Sequence, residues 1–85
     1  MTEKIKEQTQ KAIDETKIIE FDYYSDKKEF SHRVGEPYEI KNTGLSEKLY
    51  LWDYDREGIR SFILDHISNL KVTHKNFVPR RPSRG

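Results

Sequence analysis

Lys48-Leu49-Tyr50-Leu51-Trp52-Asp53-Tyr54 is the stretch on which the fold turns. With a period of two, Leu49 and Leu51 face one way and Tyr50, Trp52 and Tyr54 the other. A strand with apolar residues on both faces is one that is covered on both. The same period recurs to either side. Downstream, Asp55-Arg56-Glu57-Gly58 turns the chain and residues 59–64 run back as a strand. Residues 65–68 suit a single turn, and Leu70 and Val72 mark a short last strand ending near His74. Upstream, Asn42-Thr43-Gly44 is a turn, Tyr38 and Ile40 belong to a strand, and Phe30, His32 and Val34 alternate with Ser31 and Arg33. Gly35 and Pro37 interrupt that run, which predicts a bend or bulge. Ser25-Asp26-Lys27-Lys28 is a polar turn, and before it Ile19, Phe21 and Tyr23 alternate with Glu20 and Asp22.

Only residues 2–15 carry a helical period. Ile5, Thr9, Ala12, Ile13 and Thr16 share one narrow stripe among Lys, Glu and Gln, and Glu3 in the first turn suits the helix dipole. The stripe has no large apolar anchor and the polar face is mixed in sign. This is a helix docked on a sheet, not one lying on a membrane. The chain therefore reads as mainly β, of the α+β kind, with the helix over residues 1–16, five short strands over residues 17–77 and a disordered basic tail over residues 78–85. Strands spaced by about 8–12 residues suit a small barrel, because closure removes the exposed edges.

At 85 residues this is one small domain, and hydrophobic residues make up only 33% of it, so the ten aromatics must carry much of the core. The absence of cysteine excludes disulfides, thiolate zinc sites and a cysteine nucleophile. No apolar run approaches the roughly 20 residues of a membrane span, and nothing reads as a signal peptide, so the expected compartment is the cytoplasm. Net charge is +1, and the last eight residues hold +3 of it as Arg80, Arg81 and Arg84, which leaves −2 on the rest. The body of the chain thus lacks a strongly basic nucleic-acid footprint.

Motifs for catalysis are missing. Asp53-x-Asp55-x-Glu57-Gly58 has the opening spacing of a calcium loop, but its twelfth position is Leu64 and its flanks are strands, so an acidic hairpin turn explains it. His32, His66 and His74 have no zinc spacing, and neither a phosphate loop nor a serine nucleophile elbow occurs. These features argue against an enzyme and call for no metal and no cofactor. Two groups point to binding. The Tyr50/Trp52/Tyr54 stripe is either covered by the helix or a second subunit, or free to stack bases. Arg33 and Arg60 lie inside strands, and an arginine beside a buried face needs an anion, either an internal acid such as Glu36 or Asp65, or the phosphate of a ligand.

Taken together, these segments resemble the WYL domain family. Ala12-Ile13 followed by Ile19-x-Phe21-x-Tyr23 is similar to the family's opening, and Arg33-Val34-Gly35-Glu36-Pro37 to its R-x-x-E-P element. Leu49-Tyr50-Leu51 stands where the name-giving Trp-Tyr-Leu belongs. Residues 60–67 resemble the R-x-F-R-L-D-R-I element, and Phe77 the closing Phe. The resemblance implies an Sm/SH3-like barrel of five strands behind a helix and a regulatory, ligand-binding role, often beside DNA-binding domains, helicases or CRISPR components. It places the family's basic pocket on Arg33, Arg60, Ile63 and His66, with Tyr50 nearby. Ile63 and His66 stand where two arginines are usual, so part of the fixed positive charge is gone.

The expected function is a non-enzymatic module for a nucleotide or a short single-stranded nucleic acid. Arg33 and Arg60 would hold phosphate, Tyr50 or Trp52 would stack a base, His66 would add a hydrogen bond, and the Arg80/Arg81/Arg84 tail would attract diffusely. Such a module serves a transcription or defence regulator, or a phage-type protein that sequesters a nucleotide signal. The alternative is a protein-interaction or self-association module, a homodimer for instance, that buries the aromatic stripe.

Overall fold

Thr9 and Ala12, at the centre of the helical stripe, are fully buried, and Ile5 and Ile13 beside them pack against the core, so the stripe docks the helix as its spacing requires. The computed structural model describes residues 2–80. The helix is α1 (Thr2–Asp14), followed by β1 (Lys17–Tyr24), β2 (Phe30–Asn42), β3 (Glu47–Asp53), β4 (Gly58–Ile63), a 3-10 turn (Leu64–His66) and β5 (Ile67–Asn76). Lys6 ties α1 to β3 through Glu47, at 2.6 Å.

The five strands form one antiparallel sheet in the order β4-β3-β2-β1-β5. β4 and β1 are three places apart in that order, yet Phe62 of β4 meets Phe21 and Tyr23 of β1 edge-on, with ring centroids 5.3 and 4.9 Å apart. The Ile63 N–H also donates to the Tyr23 hydroxyl at 3.0 Å. The sheet is therefore curled on itself, and its two edge strands, β4 and β5, are joined by the 3-10 turn. This is the expected helix plus five-stranded barrel-like sheet. Ile19, Phe21, Leu49, Leu51, Phe62, Leu64 and Ile67 fill the inside.

The expected bulge is present. The β2–β3 register shifts between Pro37 and Glu39, so Tyr38 is the extra residue. Just before it, β2 and β3 approach so closely that a Cβ on Gly35 would run into the Trp52 carbonyl oxygen. The last strand is longer than expected, ten residues from Ile67 to Asn76 instead of a short piece around Leu70 and Val72. Most of its side chains are exposed, so backbone pairing to β1 holds it more than side-chain burial does. The Asn76 side-chain amide donates to the Glu15 carbonyl at 2.9 Å, and the Phe77 N–H to that of Thr16 at 2.9 Å, which pins the strand's end to the helix exit.

Candidate functional site

Arg33 of β2 and Arg60 of β4 line one cavity of about 200 Å³ between the β1–β2 hairpin and β4. Arg56, from the turn before β4, joins them, with Ser31, Phe30 and Tyr23 also on the wall. One carboxylate, Glu29, lines the same cavity. Register explains the convergence. Arg60 pairs with Leu51 and so lies on that residue's side of the sheet, while Arg33 pairs with Phe21.

The three arginines differ in how they are held. Arg33 is a strut: its Nη1 donates to Asp53 Oδ2 at 3.2 Å and to Asp55 Oδ2 at 3.4 Å, and its Nε to the Ser31 hydroxyl at 3.2 Å. Asp53 is fully buried, and its second oxygen accepts the Asp55 N–H at 2.9 Å, so the would-be calcium ligand is spent on the hairpin turn and on Arg33. Arg56 and Arg60 form no ion pair among the described residues, and Glu36, one of the acids expected to partner Arg60, is taken by Arg80. Arg60 and Arg56 therefore supply the free positive charge of the pocket. Phe30, 65% exposed on its rim, supplies a bare ring.

The remaining expected site residues lie elsewhere. His66 sits in a neighbouring groove of about 480 Å³ that shares Ser25 with the arginine pocket. Asp26, Asp65 and Lys28 also line that groove, a mixed lining less suited to a phosphate. The His66 ring leans on Tyr23 at 5.9 Å, and its buried Nδ1, 3.6 Å from the Asp26 carboxylate, is too far away for a hydrogen bond. Tyr50 and Trp52 point to the outer face, opposite Leu51, and do not reach the pocket. Arg80 stands over the Trp52 ring there, its Cζ 4.5 Å from the ring centroid, and Lys41 approaches Tyr50 at 5.9 Å. Arg80 is thus docked where a disordered tail was expected, while Arg81 and Arg84 lie outside the described residues.

Arg56, Phe30, Tyr23 and Ser31 read in the sequence only as strand and turn residues, not as site residues. They stand at a turn and at hairpin ends, and only the register Tyr24 to Phe30 and Asp53 to Gly58 brings them together.

Two carboxylate clusters outside the pocket have shifted protonation. Hydrogen bonds to Asp22 and then Glu20 raise His32 above its ordinary value, and the same His32 contact, with Asn69, lowers Asp22. Burial pushes Glu36 up, but hydrogen bonds from Arg80, Tyr54 and Tyr38 together outweigh it, and the carboxyl ends below its usual range. Burial, followed by the Glu36 carboxylate, pushes the Tyr54 phenol up to about 12.

Among the described residues, no helix is long and apolar enough to cross a membrane. No curated protein matches the chain. Among solved structures, the chain is similar to the Proteasome accessory factor B/C (PafBC) of Arthrobacter aurescens, with a TM-score of 0.82 at 18% identity over 88% of this chain and 12% of that one. The chain thus spans about an eighth of that protein's length, and the likeness is one of fold. The family model of the WYL domain matches residues 4–72, the helix and every strand up to the middle of β5. The chain belongs to the WYL domain family.

Proposed function

We propose that this chain is a non-catalytic, regulatory binding module whose ligand is a nucleotide or a short single-stranded nucleic acid held in the arginine-lined pocket. One observation carries the reading: Arg33 of one hairpin and Arg56 and Arg60 of another line a single cavity, and the latter two have no ion-pair partner among the described residues. A guanidinium presents a planar fork that matches phosphate oxygens. Arg56 and Arg60 take the phosphate, Arg33 braces the wall, and the exposed Phe30 ring offers the stacking surface that Tyr50 and Trp52 do not. A stacked base adds ~1–3 kcal/mol in single-strand binders.

With about two phosphates neutralised, the binding of short single strands should fall with salt at a logarithmic slope of about −1.4. The experiment is a titration of labelled oligonucleotides and of cyclic and linear nucleotides. Arg60→Ala should fold and lose binding, Phe30→Ala should weaken it, and Trp52→Ala should leave it intact. Binding that survives Arg60→Ala, or absence of binding to any of these ligands at high micromolar protein, rejects the reading.

A further inference from the structure

The outer face of β2 and β3 carries a constellation that the arginine pocket does not use. Glu36 is only 3% exposed, and its carboxylate is fully engaged. The Tyr38 hydroxyl donates to Oε1 at 2.8 Å and the Tyr54 hydroxyl to Oε2 at 2.7 Å. Arg80 closes a bidentate fork, Nε to Oε1 at 2.9 Å and Nη2 to Oε2 at 3.1 Å. Trp52, the cross-strand partner of Glu36, lies beneath the guanidinium. A buried carboxylate, two phenol donors that orient it and an indole floor select a guanidinium over an ammonium. The fork satisfies both oxygens at once, and the planar cation stacks on the ring.

Receptor and occupant are held differently. Glu36 and Trp52 sit on paired strands, and the Tyr54 N–H is bonded to the Val34 carbonyl at 3.2 Å. Arg80 arrives on a stretch beyond β5 without secondary structure, where Val78 is 84% exposed. Among the described residues, every hydrogen bond made by residues 78–80 is one of Arg80's own, to Glu36 or to the Tyr38 hydroxyl. The occupant is therefore held mainly by the contacts the receptor itself offers. A carboxylate as buried as Glu36 is costly to leave unpaired, so the favourable way to release Arg80 is to replace it with another guanidinium.

We propose that Glu36, Tyr38, Tyr54 and Trp52 form an arginine-binding site, filled in cis by Arg80 and open to exchange with an arginine carried on an extended segment of a partner protein. The tether sets the threshold for exchange, since a short linker gives an effective concentration in the millimolar range. A competing segment must be locally concentrated or hold further contacts.

Trp52 is the only tryptophan in the chain, so its emission reports the site directly. In full-chain Arg80→Ala, Trp52 emission should differ from wild type. A blocked peptide with the sequence of residues 77–80 should return it toward the wild-type spectrum, while wild type should need at least about tenfold more peptide, as the tether requires. The same peptide with lysine in place of its arginine should have no effect, and Arg80→Ala combined with Glu36→Gln should not respond. Arg80→Lys covers the case in which the double variant fails to fold: it keeps the charge but cannot form the fork, so the arginine peptide should enter it more readily than wild type. Identical emission from wild type and Arg80→Ala, equal response to the lysine peptide, or equal resistance of Arg80→Lys and wild type overturns the proposal.

Discussion

Replacing Asp53 with asparagine separates the two roles of Arg33, strut and pocket lining. Asp53 is fully buried, and Arg33 beside it keeps only 14% of its side chain exposed. Asparagine preserves the shape and the oxygen that accepts the Asp55 N–H, but removes the charge facing the guanidinium. Taking away one partner of a buried ion pair costs about 3–5 kcal/mol. Here the loss is smaller, because Asp55 remains 3.4 Å from the same Nη1, even though at 75% exposure its attraction is screened by water. A cost of about 2–3 kcal/mol follows. For a domain of this size each kcal/mol lowers Tm by about 4–8 °C, so Asp53→Asn should melt roughly 8–24 °C below wild type.

The same change frees Arg33 to face an anion. A ligand at ten times its Kd stabilises the folded state by about 1.4 kcal/mol, so phosphate should restore part of the lost Tm in the variant and less in wild type. Thermal unfolding followed by far-ultraviolet circular dichroism, with and without inorganic phosphate at matched ionic strength, measures both effects. If Asp53→Asn melts with wild type, the buried pair does not brace the wall. If phosphate raises both proteins equally, Arg33 does not reach the pocket.

Gly35→Ala should destabilise by about 3 kcal/mol or more, the upper end of overpacking costs, because the new Cβ meets the Trp52 backbone carbonyl as well as Leu51 Cδ2 at 2.7 Å; urea unfolding tests it. Thr9→Val should stabilise by about 1 kcal/mol, since the Thr9 hydroxyl is buried without a hydrogen-bond partner among the described residues and the two side chains have the same shape; a Tm no higher than wild type would show that the hydroxyl is satisfied. His32 should titrate above its ordinary 6.5 in a proton NMR experiment, and Asp22→Asn should bring it down. A raised folded value means that its contribution is fully present below about pH 6.5 and fades as pH rises through the folded value, so His32→Gln should flatten the stability profile in that window.

The strands whose buried residues alternate are legible in the sequence, and the full length of β5 is not. In β1 and β3 the alternation of Ile19, Phe21, Leu49 and Leu51 with polar or aromatic residues maps directly onto burial. β5 has no such signal: Ser68, Asn69, Lys71 and Lys75 are exposed, and pairing with β1 extends it past what hydrophobicity marks. The convergence of Arg33 and Arg60 was expected because both sit in family motifs. Parity separates Tyr50 and Trp52 from the arginines. Arg60 pairs with Leu51 and Ile59 with Trp52, so the arginine and the tryptophan face opposite sides, which follows only once the β3–β4 register is known. Arg80 reads in the sequence as part of a disordered tail because its partner, Glu36, lies 44 residues away and is equally a candidate for Arg60.

β2 connects the two sites without merging them. Arg33 and Glu36 are three residues apart on one strand, an odd spacing that sends them to opposite faces. Across the ladder their neighbours divide the same way, with Asp53 opposite Gly35 on the inner side and Trp52 opposite Glu36 on the outer. Each site is built on one buried carboxylate that fixes one arginine, Asp53 with Arg33 and Glu36 with Arg80. In the pocket the fixed arginine is part of the wall, and Arg56 and Arg60 remain for the ligand. On the outer face the fixed arginine is itself the occupant. No side chain is shared, so Arg60→Ala should empty the first site without disturbing Trp52 emission, and Arg80→Ala should open the second without changing nucleotide binding.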